Sequence, residues 1–270
     1  MGFMANIKGQ KALSLQGKGD DEGAKKLYEE AIGMGMNEPR MLLGYALLLI
    51  RGGEFQKAKD LLVKTQKAPG ISPEQKVQLF MDYAVCCFKL GDLEKGVQLL
   101  ERQHIRQPAG LIYETLGYLY VEKYDPENAP KAQEAPAAPE DDGAAAPADE
   151  ANDEAASDAP AELSGEEKAL SFLKEAVDYD EDDPVCLDNL AQFYYRALGD
   201  KAQAREWFDK AIAEKPGQID TLWFLSRYDL EAGDVKAAVE RLEKALEGRF
   251  SPLNYADKAR IEAEIARLRA

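Results

Sequence analysis

The chain has 270 residues, 45% of them hydrophobic, and its 50 acidic and 34 basic residues give a net charge of −16. This is enough apolar material for a core, and no basic stripe indicates nucleic acid, so we expect no nucleic-acid partner. Cys86, Cys87 and Cys186 have neither metal-ligand spacing nor a disulfide pattern. The longest apolar run, 41–50, is too short to span a bilayer, and the first ten residues lack a signal-peptide core. We therefore predict a soluble, cytoplasmic protein without membrane contact.

Small residues recur in pairs along residues 1–125 and indicate helical hairpins. The two members of a pair are 12 residues apart, and each pair is joined by a segment with a glycine turn. Small side chains at matching positions let two antiparallel helices approach closely, so each pair predicts one hairpin. These residues therefore form units one to three, with the pairs Ala12–Ala24, Ala46–Ala58 and Ala84–Gly96, and the first helix of unit four, which carries Gly117.

Residues 126–163 interrupt this pattern. The partner of Gly117 is Ala169, 52 residues away instead of 12, and removing about 40 residues restores the period. The interruption is rich in Ala, Asp, Glu and Pro and cannot bury enough apolar area to fold. We therefore predict a disordered acidic insert inside unit four, between Asp125-Pro126 and a capping box at Ser164–Glu167. It is either a solvated spacer or a tether that competes with basic or polar partners.

The pattern resumes over residues 164–250, which hold the second helix of unit four and units five and six, with the pairs Ala191–Ala204 and Ser226–Ala238. Helix starts are predicted at three cap-and-proline pairs, Ser72-Pro73, Asp183-Pro184 and Ser251-Pro252. The third would begin a capping helix over residues 251–270, with one apolar stripe facing inward. The acidic run 178–184 lacks the glycine and the bidentate glutamate of a calcium loop, so we interpret it as a turn with a helix cap.

The residues of these units resemble the tetratricopeptide repeat family. The match is fullest in unit five and covers nearly all of the chain outside the insert; the matching residues are Leu187, Leu190, Ala191, Tyr194, Ala204, Phe208, Ala211 and Pro216. Unit one departs from the pattern with Lys8 and Lys11, and unit six with Asp229 in place of Tyr. The resemblance implies an all-α fold, a right-handed superhelix (α-solenoid) of about six helical hairpins with a C-terminal capping helix.

In this family the first helices of the hairpins line a concave groove that receives peptides. The groove positions are three before, one after and four after the small residue, a single helix face. They form an apolar patch in units two to four, where Glu114 is the one charged member. In units five and six the same face also carries Asp188, Gln192 and Leu230. A tightly curled array or a dimer seam would bury them instead. The resemblance implies this peptide-binding groove: Leu43, Leu47, Ile50, Met81, Val85, Phe88, Tyr118, Val121, Tyr195, Trp223 and Arg227.

Catalytic signatures do not occur in the sequence. His104 is the only histidine and has no paired nucleophile, and no phosphate loop, zincin motif or dinucleotide fingerprint is present. We predict a non-enzymatic interaction scaffold or adaptor without cofactor or metal. It would bind a hydrophobic or amphipathic segment of a protein partner whose identity the sequence leaves open. The alternative is a secretion or assembly chaperone that holds an apolar client.

One subset of the family grips the C-terminal carboxylate of heat-shock chaperones with Lys, Asn and Arg on the groove face. In units two and three the corresponding positions hold Leu, Met and Val. We therefore expect no heat-shock chaperone partner of the carboxylate-clamp kind.

Overall fold

A computed structural model describes residues 3–128 and 163–270, and in these ranges the fold is all-α. The described residues contain thirteen α-helices and no β-strand, which confirms the predicted fold class. None of these helices combines the length and the apolar character that crossing a membrane requires. The described residues fall into two compact units, 3–107 and 108–128 with 163–270, which we describe separately.

The first unit consists of three helical hairpins. Its helices pack in consecutive pairs, α1 on α2, α3 on α4 and α5 on α6, and the first helices of neighbouring hairpins also touch. The helices are α1 (Phe3–Gly17), α2 (Asp21–Gly33), α3 (Pro39–Arg51), α4 (Phe55–Gln66), α5 (Pro73–Lys89) and α6 (Leu93–Arg106).

The second unit also consists of hairpins, followed by a last single helix. Here α7 packs on α8, α9 on α10 and α11 on α12, and α13 packs on α12. A five-residue π-helical segment, Phe193–Ala197, continues α9. The helices are α7 (Gly110–Tyr124), α8 (Gly165–Tyr179), α9 (Pro184–Gln192), α10 (Lys201–Glu214), α11 (Ile219–Glu231), α12 (Val235–Leu246) and α13 (Lys258–Arg269).

The paired small residues hold the hairpins together as predicted. All twelve are buried, from Ala12 in α1 to Ala238 in α12. At Gly117 a Cβ atom would lie only 3.0 Å from Asn189 Nδ2 and 3.1 Å from a methyl group of Leu173. Because α7 approaches both α8 and α9 this closely, only glycine fits at that position without displacing a neighbour.

Two of the predicted helix starts, and the capping box after the insert, are confirmed. Ser72 accepts a hydrogen bond from the Gln75 amide, and the Gln75 side chain accepts one from the Ser72 amide, which completes a capping box. Ser164 makes the same box at the start of α8. Asp183 accepts from two backbone amides at the start of α9, so this end of the acidic run serves as a helix cap.

The third predicted start, Ser251-Pro252, is wrong, because the last helix begins at Lys258 with Asp257 as its cap. Residues 251–254 close a turn instead, in which the Ser251 amide donates to Asn254 Oδ1 at 2.7 Å. The backbone amides of the next two residues then donate to Asp220 in α11. These competing acceptors keep residues 251–257 out of the helix, and the predicted capping helix is correspondingly shorter.

Helix α7 precedes the predicted insert in the sequence and α8 follows it, and the two helices pack against each other. The first three residues of that insert, Pro126–Asn128, form a 3-10 turn at the end of α7. Asn128 secures the turn by donating to the Glu122 carbonyl oxygen at 3.1 Å. Residues 129–162, on which the prediction of disorder falls, lie outside the described residues.

Two departures from the repeat pattern are compensated by ion pairs inside their hairpins. Lys8 on α1 lies 2.6 Å from Glu30 on α2. Asp229, which replaces a tyrosine on α11, accepts a hydrogen bond from Arg241 Nε on α12 at 2.6 Å. A charge on one helix is thus matched by its partner helix, and both hairpins keep their paired small residues buried.

Candidate functional site

We call the three groove positions of each first helix, three before, one after and four after its small residue, the inner face. None of the eleven predicted groove residues is fully exposed. A groove that receives a peptide needs accessible side chains, and seven of the predicted residues are buried instead: Leu43, Ile50, Met81, Val85, Tyr118, Val121 and Trp223. The remaining four are half-buried: Leu47, Phe88, Tyr195 and Arg227. Burial arises because neighbouring first helices pack together and because internal contacts cover these positions.

In the first unit the predicted groove residues lie on α3 and α5, which pack against each other. All six of its predicted residues are apolar, and Leu47 and Phe88 are the two that remain partly accessible. The Lys89 ammonium lies 4.6 Å from the centre of the Phe88 ring. The accessible part of this face is thus apolar, with one cation at its edge.

In the second unit the inner face is built around Arg196, in the π-helical segment. The Arg196 guanidinium donates to Asp125 Oδ2 and Glu122 Oε1, each at 2.8 Å, and to Gln192 Oε1 at 3.0 Å. These carboxylates come from the end of α7, and the side chains of Arg196 and Asp125 are each only 4% exposed. A guanidinium that bridges two carboxylates through charge-assisted hydrogen bonds fixes the two helices relative to each other.

The other predicted residues of the second unit also make internal contacts. The rings of Tyr195 and Phe224 pack with their centres 5.0 Å apart. The Arg227 guanidinium lies 4.2 Å from the Trp223 ring and donates to Glu264 on α13 at 2.6 Å. Since these groups are already paired with one another, this face is not an open apolar groove.

Residues 251–257 close part of this face. The Tyr255 ring lies 4.1 Å from the Arg196 guanidinium carbon and 5.1 Å from the Phe224 ring centre. The Asp220 carboxylate accepts from the amides of Tyr255 and Ala256 at 3.1 and 3.2 Å. The segment predicted to be helical is therefore held as a strap across the inner face, and below we call it the strap.

A cavity of about 380 Å³ remains beside the strap. Burial raises the pKa of Glu114 at its edge to about 7. The pKa of Asp188 is raised by burial and by the charge of Asp220, while Thr221 and Gln192 donate hydrogen bonds to it. Of the predicted groove residues, Tyr118 lines this cavity. The inner face thus offers a small recess of mixed polar and apolar lining rather than an apolar channel.

Sequence reasoning missed Arg196 and Asp220, the two residues that organise this face. Arg196 follows Ala191 by five residues and so lies outside the three groove positions. Asp220 is six residues before Ser226, in the first turn of α11. For Arg196 the sequence offered one signal: it is the only charged residue in the apolar and aromatic stretch 193–198. A charge buried in such surroundings requires partners.

Comparisons with known proteins agree with this geometry. The tetratricopeptide repeat family profile matches residues 185–214, which comprise α9, the π-helical segment and α10. A tetratricopeptide repeat protein of Thermus thermophilus is 18% identical, with 86% of this chain and 98% of that chain covered and a TM-score of 0.59. PilW, a type IV pilus biogenesis factor, is 14% identical, with both chains fully covered and a TM-score of 0.61. The chain has the tetratricopeptide repeat fold.

A third solved structure, PilF of Pseudomonas aeruginosa, is 12% identical, covers 97% of each chain and has a TM-score of 0.55. No curated protein matches the sequence. The predicted resemblance to the tetratricopeptide repeat family is confirmed, and such folds generally mediate protein–protein interaction through stacked hairpins. Within residues 3–128 and 163–270 no group of three or more His, Cys, Asp or Glu side chains is arranged to hold a metal ion.

Proposed function

We propose that the protein is a non-enzymatic interaction scaffold that binds an amphipathic segment of a partner on the inner face of its first unit. The observation that carries this is the contrast between the two inner faces. In the first unit the accessible side chains are apolar, Leu47 and Phe88. In the second unit the strap and the Arg196 ion pairs fill the corresponding positions.

An amphipathic segment suits this face better than a purely apolar one. Its apolar side would cover Leu47 and Phe88, while a carboxylate on its polar side would face Lys89 at the edge. A few well-packed residues supply most of the binding energy in protein interfaces, so two anchors of this kind are enough to position a segment. A helix laid in a groove through such anchors is a common mode of peptide recognition.

The test is a capture experiment with three forms of the full chain. Leu47→Glu and Phe88→Glu are combined in one variant, and Met34→Glu, at an exposed residue near the end of α2, serves as the matched control. Proteins retained by the wild type are identified, purified and titrated against all three forms. We expect at least tenfold weaker binding by the double variant, an unchanged control and similar melting temperatures.

Two results would overturn the proposal. Equal affinity of all three forms would place the partner elsewhere. Loss of cooperative melting in the double variant, with the control intact, would mean that Leu47 and Phe88 serve only as core residues.

A further inference from the structure

A second surface lies in the first unit, where α4 and α6 end and α5 begins. It is a cavity of about 580 Å³ whose lining comes from these three helix ends. One part of its wall is apolar and is formed by Pro73, Val77, Leu79 and Phe80 of α5. It lies apart from the groove positions, since none of the eleven predicted groove residues lines it.

Three cations line this cavity, Lys67, Lys76 and Arg106, and no Asp or Glu is among its lining residues. Residues 1–107 carry 16 Lys and Arg against 13 Asp and Glu, so a lining with three cations and no acid is more basic than the unit around it. The side chains of Lys67 and Lys76 have no ion-pair partner among the described residues. The cavity is therefore a local positive site in a unit whose charges are otherwise nearly balanced.

Helix ends explain two of these cations but not the third. Lys67 caps the end of α4 and Arg106 ends α6, and a positive charge at a helix C-terminus is favourable. Lys76, by contrast, is the fourth residue of α5, near the positive end of that helix dipole. A cation there is disfavoured by the helix itself, so an anion placed in the cavity would relieve an existing repulsion.

An independent observation is a buried donor without a partner. Gln103 lines the cavity, is only 7% exposed, and its Nε2 makes no hydrogen bond among the described residues. A buried polar group left unpaired destabilises the folded state. A rotation of the Gln103 amide toward the cavity would let an acceptor bound there satisfy this group.

From these observations we infer that the cavity binds an acidic segment of a partner protein, with carboxylates at the cations and an apolar side chain against Val77 and Phe80. Charge-assisted hydrogen bonds from Lys and Arg to carboxylates are about twice as strong as neutral ones. Nucleic acid fits less well, because it carries no aliphatic side chain to cover the apolar wall at Val77 and Phe80. This inference stands independently of the amphipathic segment proposed for the inner face.

The probe is a fluorescein-labelled hexapeptide, Glu-Glu-Leu-Phe-Glu-Glu, with Gln-Gln-Leu-Phe-Gln-Gln as its uncharged control. Both are titrated against the full chain by fluorescence anisotropy. We expect at least tenfold tighter binding of the acidic peptide and a loss of affinity with added salt. Lys67→Glu with Lys76→Glu should weaken binding at least tenfold. Lys18→Glu with Lys26→Glu, which makes the same charge change on the first hairpin, should alter it less than twofold.

Gln103→Leu adds a readout that a general charge effect would not move. It should weaken the acidic peptide at least threefold while raising the melting temperature, because it removes the unpaired donor. Equal effects of the two charge-reversal pairs, or no effect of Gln103→Leu on binding, would overturn the inference. If a twenty-nucleotide oligo-dT bound more tightly than the acidic hexapeptide and lost affinity in the Lys67→Glu, Lys76→Glu variant, the site would be assigned to nucleic acid instead.

The chain's own acidic residues are the other candidate occupant. Residues 129–162 contain ten Asp and Glu and one Lys. A variant in which these ten are replaced by Asn and Gln should bind the hexapeptide within twofold of the wild type. An affinity gain of tenfold or more would show that the site is occupied from within, and would overturn its assignment to a partner.

Discussion

Arg196 and Asp125 are 71 residues apart in the sequence, yet Arg196 Nε donates to Asp125 Oδ2 at 2.8 Å. Asp125 ends α7, immediately before the predicted insert, and Arg196 continues α9, the first helix of the next hairpin. The pair therefore joins two hairpins of the second unit across the interruption. Because both side chains are almost completely buried, neither can be removed without leaving a charge unpaired.

Arg196→Gln should consequently destabilise the protein by about 3 kcal/mol, because Glu122 and Asp125 would remain buried without a cation. Adding Glu122→Gln and Asp125→Asn to that variant should restore most of the loss. Urea denaturation at pH 7 measures the free energy of unfolding of the single and the triple variant. If the triple variant were as unstable as the single one, the effect would come from lost packing against Tyr255 rather than from unpaired charge.

The buried carboxyl of Asp82 should make the stability of the first unit depend on pH. Burial raises its pKa to about 7, although Gln78 donates to it at 2.8 Å and the charge of Arg51 acts to lower it. An unfolded carboxyl has a pKa near 4, so the folded state holds the proton more tightly. Its contribution to stability is therefore greatest below about pH 4 and is lost as the pH rises to about 7.

Asp82→Asn should remove this dependence. We expect the variant to be more stable than the wild type at pH 8, by about 2 kcal/mol, with a smaller gain at pH 5. Urea unfolding at the two pH values provides the measurement. A gain of the same size at both would show that the buried carboxyl is not the group that titrates.

Substitution of Asp220 is predicted to make the strap easier to cleave by a protease. Asp220 holds it through the amides of Tyr255 and Ala256 and the side chain of Asn254. Hydrogen bonds to a charged group contribute about 1.5–3 kcal/mol each, so Asp220→Asn should open the strap at least tenfold more often. Cleavage by chymotrypsin after Tyr255, followed by mass spectrometry, reports that opening.

The control for this experiment is Asp229→Asn on the same helix, which breaks a pair with Arg241 and leaves the strap bonds intact. It should leave cleavage after Tyr255 unchanged. Equal acceleration in both variants would indicate general loosening of α11, and no acceleration in either would mean that Asp220 does not hold the strap.

The sequence was sufficient for those features that depend on local pattern. Paired small residues such as Ala46 and Ala58 located the hairpins, and Ser72 and Asp183 located helix starts, because helix packing and capping follow from side-chain size and hydrogen bonding nearby in the chain. The Ser251 start failed because the acceptor that competes for the backbone, Asp220, is more than thirty residues away. A helix cap depends on residues nearby in the chain, whereas the competing acceptor here comes from a distant helix.

The inner face was predictable in position but not in exposure. Spacing placed Tyr118 and Trp223 on the right side of their helices, yet burial depends on what covers them. The Arg227 and Arg260 guanidinium groups lie over Trp223, and Tyr255 of the strap packs on Arg196 and Phe224; a repeat pattern encodes none of these contacts. The first unit keeps partly accessible apolar residues at its inner positions, and for that reason the proposed binding surface lies there.

The central claim is that one register of hairpins runs through both ranges of the described chain and that residues 129–162 are inserted into a single hairpin, α7 with α8. The most direct test replaces these residues with an eight-residue Gly-Ser linker and compares the two proteins by circular dichroism and urea unfolding. We predict the same number of helical residues, one cooperative transition and a free energy of unfolding equal to the wild type or higher by up to about 2 kcal/mol, since loop closure becomes less costly. Loss of helix equivalent to α8, or a marked fall in stability, would contradict the account.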